Sequence, residues 1–191
     1  EVGYAELADD IDMSEQDALP HIIKKLTGRF DGKGHTVSGL KLAGGSGNYS
    51  TKVNTGFISE LDGMVRDLKM TDVLITGIGN YNYVGTIAGN ISEGSTVTID
   101  NCIVTGSVTS EKSGYVYMGS LIGQATGSID NNTVVTVNNC ISNVKISGAS
   151  SNYSGGVIGS LNYYSSLDIS KSAILGDVSG GKSACGIIGY I

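Results

Sequence analysis

The chain has 191 residues, of which 29 are glycine, one is proline and 16% are charged, with a net charge of −6. Its 12 lysines and arginines are scattered rather than clustered, which argues against nucleic acid or an anionic membrane surface as partner. No apolar run approaches the roughly 18–20 residues that a membrane span needs, so no membrane insertion is expected.

From the N-terminus, residues 1–52 show no regular period. Tyr4-Ala5-Glu6-Leu7 and Ile11-Asp12-Met13 read as short strands. The segment SEQDALPHIIKKL, residues 14–26, holds the one stretch predicted to be helical, with Pro20 in an awkward place for a long helix. Residues 1–52 are assigned to an N-terminal cap and an irregular first rung, which would cover apolar core and an unpaired strand edge. Gly44-Gly45-Ser46-Gly47 lacks the Lys-Ser/Thr of a phosphate loop.

From residue 53 to 191 the chain repeats itself. Val84-Gly85-Thr86-Ile87-Ala88-Gly89 recurs as Met118-Gly119-Ser120-Leu121-Ile122-Gly123, Ser154-Gly155-Gly156-Val157-Ile158-Gly159 and Ala184-Cys185-Gly186-Ile187-Ile188-Gly189. A degenerate copy, Asn54-Thr55-Gly56-Phe57-Ile58-Ser59, precedes them, and the copies end at 59, 89, 123, 159 and 189. A second pattern lies between: VRDLKMTDVLITG, VTIDNCIVTGSVTS, VTVNNCISNVKISG and LDISKSAILGDVSG. It makes Leu68, Cys102, Cys140 and Ser172 equivalent, and likewise Asp67, Asn101, Asn139 and Lys171.

Apolar residues alternate within these repeats and show no helical period. An antiparallel sandwich or barrel would not repeat every 30 or so residues, whereas a solenoid does so by construction, one rung per repeat. The predicted fold is therefore all-β: a single right-handed parallel β-helix of about five rungs, with three short strands per rung and the irregular N-terminal cap. Ile87, Leu121, Val157 and Ile187 form one column, and the glycines permit sharp corners and close backbone approach. Asn101 above Asn139 suits a short amide ladder. Cys102 above Cys140 suits either two buried thiols or a cross-rung disulfide. The sequon acceptors Asn48, Asn90, Asn131 and Asn152 read as coincidence in a chain rich in Asn, Ser and Thr. The chain stops one strand into a further repeat, at Gly189-Tyr190-Ile191. This suggests either a fragment whose parent polypeptide continues at an open C-terminal end, or an end that packs on something.

No catalytic constellation, metal motif or cofactor motif emerges. Of Asp62, Asp67, Asp72, Asp100, Asp168 and Asp177, none shares a column: Asp100 stacks with Arg66, Asn138 and Ser170, and Asp67 is its diagonal neighbour. A glycosidase needs two carboxylates about 5–9.5 Å apart, and Arg66 with Asp67 and Asp100 is the nearest approach to an acid–base cluster. A surface ion pair explains that trio equally well. His21 and His35 are too few for a metal or Cys–His site, and His35 is expected to make a structural hydrogen bond to backbone. One surface feature stands out. Tyr83, Tyr117 and Tyr153 are equivalent, as are Tyr81 and Tyr115, so the stack gathers five rings along one corner. Such a corner suits a sugar or protein ligand, or simply packs over the loops.

Phe30-Asp31-Gly32-Lys33-Gly34-His35-Thr36-Val37-Ser38-Gly39-Leu40 resembles the F-D-G-x-G-H-T-I-x-G-L segment that opens many bacterial surface β-helices. Leu7-Ala8-Asp9-Asp10-Ile11-Asp12-Met13-Ser14 resembles the strand preceding it. The glycine repeats are similar to the GLUG motif of adhesin-like proteins and of the non-catalytic part of IgA-specific metallopeptidases; Ser59 and Cys185 depart from it where glycine is usual. The resemblance implies a secreted or cell-surface protein without catalytic residues of its own. It would serve as an adhesion, binding or spacer module for a host or matrix glycan or protein. The alternatives are an accessory domain positioning substrate for a surface protease, or a polysaccharide lyase or hydrolase.

Overall fold

The computed structural model describes residues 1–45, 51–110 and 114–191. The Asn48 sequon, and Ser46 and Gly47 of the glycine-rich stretch, lie outside the described residues. Among the described residues all regular structure is strand and there is no helix. The strands pair in parallel with their equivalents one repeat away and form a β-solenoid of about five turns.

Alternation fixes which side chains enter the core. Val97 and Ile99 are fully buried while Thr98 between them is half-buried, and Lys145 projects outward between buried Val144 and Ile146. Neighbouring strands lie about 4.8 Å apart, so each buried residue rests on its equivalent in the next rung. The Ile87 amide donates to the Leu121 carbonyl at 3.0 Å, Leu121 to Val157 at 3.1 Å and Val157 to Ile187 at 2.9 Å. That inward column is closed to solvent at Ile87, Leu121 and Val157, and it opens at Ile187, which is 44% exposed on the last rung. A separate inward column carries Cys102 and Cys140, both buried free thiols. Hydrogen bonding to Cys140, then burial, holds the Cys102 thiol above its ordinary range.

A full rung crosses four faces, not three. The first face holds Tyr81–Val84, Tyr115–Gly119, Tyr153–Gly155 and Ser183–Cys185. The second holds Ala88–Ile91, Ile122–Ala125, Ile158–Leu161 and Ile188–Tyr190. The third holds Met64–Arg66, Thr96–Asp100, Thr133–Asn138 and Ser165–Ser170. The fourth holds Lys69–Thr76, Ile103–Ser110 and Ile141–Gly148.

The strand expected around each glycine pair is thus two strands, broken at or just after the first glycine. A Cβ on Gly56, Gly85, Gly119 or Gly155 would lie 2.6, 2.6, 2.8 or 2.5 Å from the backbone nitrogen of Gly89, Gly123, Gly159 or Gly189, respectively. The glycine of one rung therefore faces the second glycine of the next at a distance that no side chain permits. Cys185, which takes the place of the first glycine in the last copy, is exposed.

The corner between the third and fourth faces uses a different device. Asp67, Asn101, Asn139 and Lys171 all adopt left-handed backbone, with φ of 52°, 52°, 54° and 50°. Asn and Asp tolerate this conformation better than most residues.

The helix expected over residues 14–26 does not form. Residues 21–31 run instead as the strand His21–Asp31. Its first part pairs His21 with Gly56, Ile23 with Ile58 and Leu26 with Leu61, on the second face. Its second part turns onto the third face, pairing Arg29 with Met64 and Asp31 with Arg66, while Val2–Glu6 pairs with its other edge. Pro20 and the Ile22-Ile23 pair weaken the helix locally, and an open neighbouring strand supplies the hydrogen bonds. Tertiary pairing overrode a weak local propensity.

The glycine contacts predict a contrast. Gly123→Ala, whose Cβ meets the backbone of Gly89, Val84 and Tyr83, should lower the stability by about 1–3 kcal/mol in urea unfolding. Gly186→Ala, with no atom within 4 Å of its Cβ, should change it by no more than about 0.5 kcal/mol.

Candidate binding site

The stack brings the five tyrosines together as one ladder. Tyr81 pairs with Tyr115, and Tyr83, Tyr117 and Tyr153 follow one another in register. The Tyr117 and Tyr153 rings are stacked at 5.0 Å with 7° between their planes, and Tyr83 lies 5.5 Å from Tyr117. Tyr190 closes the ladder edge-on, 4.9 Å from Tyr153. These contacts consume the ring faces. Tyr83, Tyr117 and Tyr153 are buried, Tyr81 is half-buried and Tyr115 is 37% exposed. Burial, then the neighbouring Tyr81, pushes the Tyr83 phenol up to about 12, against a hydrogen bond from Gln124; burial raises Tyr117 further. The Lys52 ammonium lies 5.9 and 5.7 Å from the Tyr81 and Tyr83 ring centroids, and Lys182 lies 5.6 Å from that of Tyr153.

The ladder forms one wall of a groove. The column Glu60, Asn90, Gln124, Ser160 and Tyr190, one residue per rung on the second face, lies beside it. Two adjoining pockets share Lys52, Tyr83, Gln124 and Thr126. A third continues from them through Asn162, Tyr163 and Tyr190 to the open end of the solenoid. Tyr163, 82% exposed, stands on the rim.

The acid–base trio is held otherwise. Arg66 donates from Nε and Nη2 to Oδ2 of Asp31 at 3.0 and 2.8 Å, and its Nε lies 3.4 Å from Asp67. The Asp31 side chain is 1% exposed and also accepts from the Lys33 amide. Burial opposes its ionisation, but the bonds from Arg66 and Lys33 prevail and hold its carboxyl below the ordinary value. Asp100 accepts from Asn138, which in turn accepts from Ser170. Asp67 accepts from Asn101 at 2.6 Å, and Asn101 from Asn139 at 3.0 Å, which realises the amide ladder. His35 bonds through Nδ1 to the Asp10 carboxylate at 3.3 Å, rather than to backbone as expected. Among the described residues no group of three or more His, Cys, Asp or Glu could hold a metal ion.

Three residues that matter here escaped the sequence reading: Asp31, Tyr190 and Gln124. Asp31 lies in the quoted F-D-G segment, and carrying the Arg66–Asp100 column back one rung would have placed it under Arg66. Tyr190 and Gln124 follow the closing glycines Gly189 and Gly123 as Asn90 follows Gly89.

No protein-family model matches the chain, and no curated protein matches it. Among solved structures, one from Bacteroides ovatus, provisionally named an immunoglobulin A1 protease, aligns with 97% of this chain at 18% identity and a TM-score of 0.57. The chain covers 64% of that structure's length. At this identity the likeness concerns the fold alone.

Two variants separate the structural roles. Tyr117→Ala should cost about 3–5 kcal/mol, as large buried aromatics do, with the loss read from urea unfolding. Arg66→Ala removes both guanidinium bonds from buried Asp31 and leaves it only the longer ion pair with Arg29 at 3.9 Å. In the parent chain the depressed Asp31 carboxyl contributes stability above the ordinary carboxylate range, and this is lost as pH falls through its folded value. The variant should therefore unfold at a higher pH than the parent in an acid titration followed by circular dichroism.

Proposed function

We propose that the chain is a non-catalytic module of a bacterial cell-surface protein, related to the GLUG-motif β-helices, which holds a binding groove on a rigid spacer. The observation that carries this reading is the fate of the polar side chains. The Asp31–Arg66, Asp100–Asn138 and Asp67–Asn101 contacts satisfy the acids and the base within the stack. In contrast, Glu60 and Asn90 in the groove have no side-chain hydrogen-bond partner among the described residues. The groove thus gathers, beside an aromatic wall, polar groups that remain available to a host or matrix glycan or protein. Weak contacts at each rung add along a rigid stack.

A second reading, an accessory domain that positions substrate for a protease domain elsewhere in a longer protein, is favoured by the likeness to the Bacteroides ovatus structure. Both readings place the chemistry outside this chain. Incubated with immunoglobulin A1, polyuronates or β-glucans, the chain should release no fragment and no reducing ends. Product formation that disappears in Asp67→Ala or Asp100→Ala would overturn the proposal.

A further inference from the structure

We infer that the groove takes a neutral, linear, β-linked glycan lying along the solenoid axis, one sugar per rung; this inference rests on the binding reading above. The pockets run from Lys52 past Tyr83 and Gln124 to Tyr163 and Tyr190 without interruption, so the site is a trough, not a pit. Its floor repeats with the strands. Glu60, Asn90, Gln124 and Tyr190 line it from a column whose members stand about 4.8 Å apart and span about 19 Å along the axis, with the fully buried Ser160 on the rung between Gln124 and Tyr190.

The period selects among extended polymers. A peptide advances about 3.3 Å per residue and gains most by adding a strand to a sheet edge. Here it would have to cross the strands at right angles, over backbone already paired on both sides within the stack. A β1→4-linked hexose chain advances about one strand spacing per sugar and presents hydroxyls at the same interval.

The chemistry of the lining points the same way. It offers the amides of Asn90, Gln124 and Asn162 and the hydroxyl of Thr126, all suited to neutral hydroxyls. Glu60 and Lys52 offset one another, and a single lysine in a chain of net charge −6 gives no basis for holding a polyuronate. Gln124, 5% exposed and beside Tyr83, is held by its packing before any ligand arrives. The ladder tyrosines present edges rather than faces. Tyr163 on the rim is the exposed ring against which the C–H face of a sugar can stack.

The test is calorimetric titration of the chain with cello-, xylo- and β1→4-linked N-acetylglucosamine oligomers from two to six sugars. One of the three series should bind, with affinity rising up to the pentasaccharide and flattening once the chain fills the trough. Tyr163→Ala and Gln124→Ala should each weaken binding about tenfold, while Tyr4→Ala, an exposed tyrosine outside the groove, should not. Because Gln124→Ala also removes packing beside Tyr83, its melting temperature is measured alongside; exposed Tyr163 carries the test if that variant is destabilised. Failure of all three series overturns the glycan inference and leaves the non-catalytic module standing. Binding that ignores chain length, or that survives both substitutions, keeps a binding module but removes the groove as its site.

Discussion

The first and second faces of the solenoid meet through backbone alone. Gly85 against Gly123, Gly119 against Gly159 and Gly155 against Gly189 approach more closely than any side chain allows. That contact brings the tyrosine strands back against the next rung. Without it, Tyr83, Tyr117 and Tyr153 would stand on an open face and would not form the wall of a trough. The Gly-x-x-x-Gly spacing is therefore more than a tolerance for a turn: two positions per rung must lack a side chain so that the corner can be concave.

Parallel stacking imposes a second constraint, this time on charge. Side chains in one column stand about 4.8 Å apart, and like charges at that distance repel by about 1–4 kcal/mol, depending on their exposure. The polar columns obey this. Arg66 lies between Asp31 and Asp100, and Asn138 and Ser170 follow. Asp67 is followed by Asn101 and Asn139, and Lys25 by Glu60, Asn90 and Gln124. One like-charged pair adjoins in the three, Glu6 beside Asp31, and there Lys33 stands 3.3 Å from Glu6. The low charge content of the sequence follows from the same rule, since few positions in such a stack can carry a charge without a partner one rung away.

Much of this was legible in the sequence because a solenoid converts spacing directly into contact. The column Ile87, Leu121, Val157, Ile187 and the equivalence of Asp100 with Arg66, Asn138 and Ser170 could be written down from period alone, and the registers agree. What failed was whatever the period did not govern. The strand His21–Asp31 read as partly helical because its first rung has no earlier copy to compare, and only pairing with Val53–Leu61 makes it extended. The break at Gly85 was invisible because it depends on backbone from the next rung. The shared left-handed turn at Asp67, Asn101, Asn139 and Lys171 was seen as a column but not as a conformation, although three Asn or Asp residues at one position were its signal.

The tyrosines show how repetition and access divide the surface. Rings that recur in register find one another, stack and become buried, as Tyr83, Tyr117 and Tyr153 do. A repeated aromatic is thus the natural material of a wall. What a ligand can reach is what does not recur: Glu60, Asn90 and Gln124 in successive rungs of one column, and Tyr163, which has no stacked equivalent among the described tyrosines. The column Glu60, Asn90, Gln124 changes its residue at each rung, and Glu60 and Asn90 in it have no side-chain hydrogen-bond partner among the described residues. The groove beside the ladder, built from such a column, is for that reason the part of this surface able to discriminate between ligands.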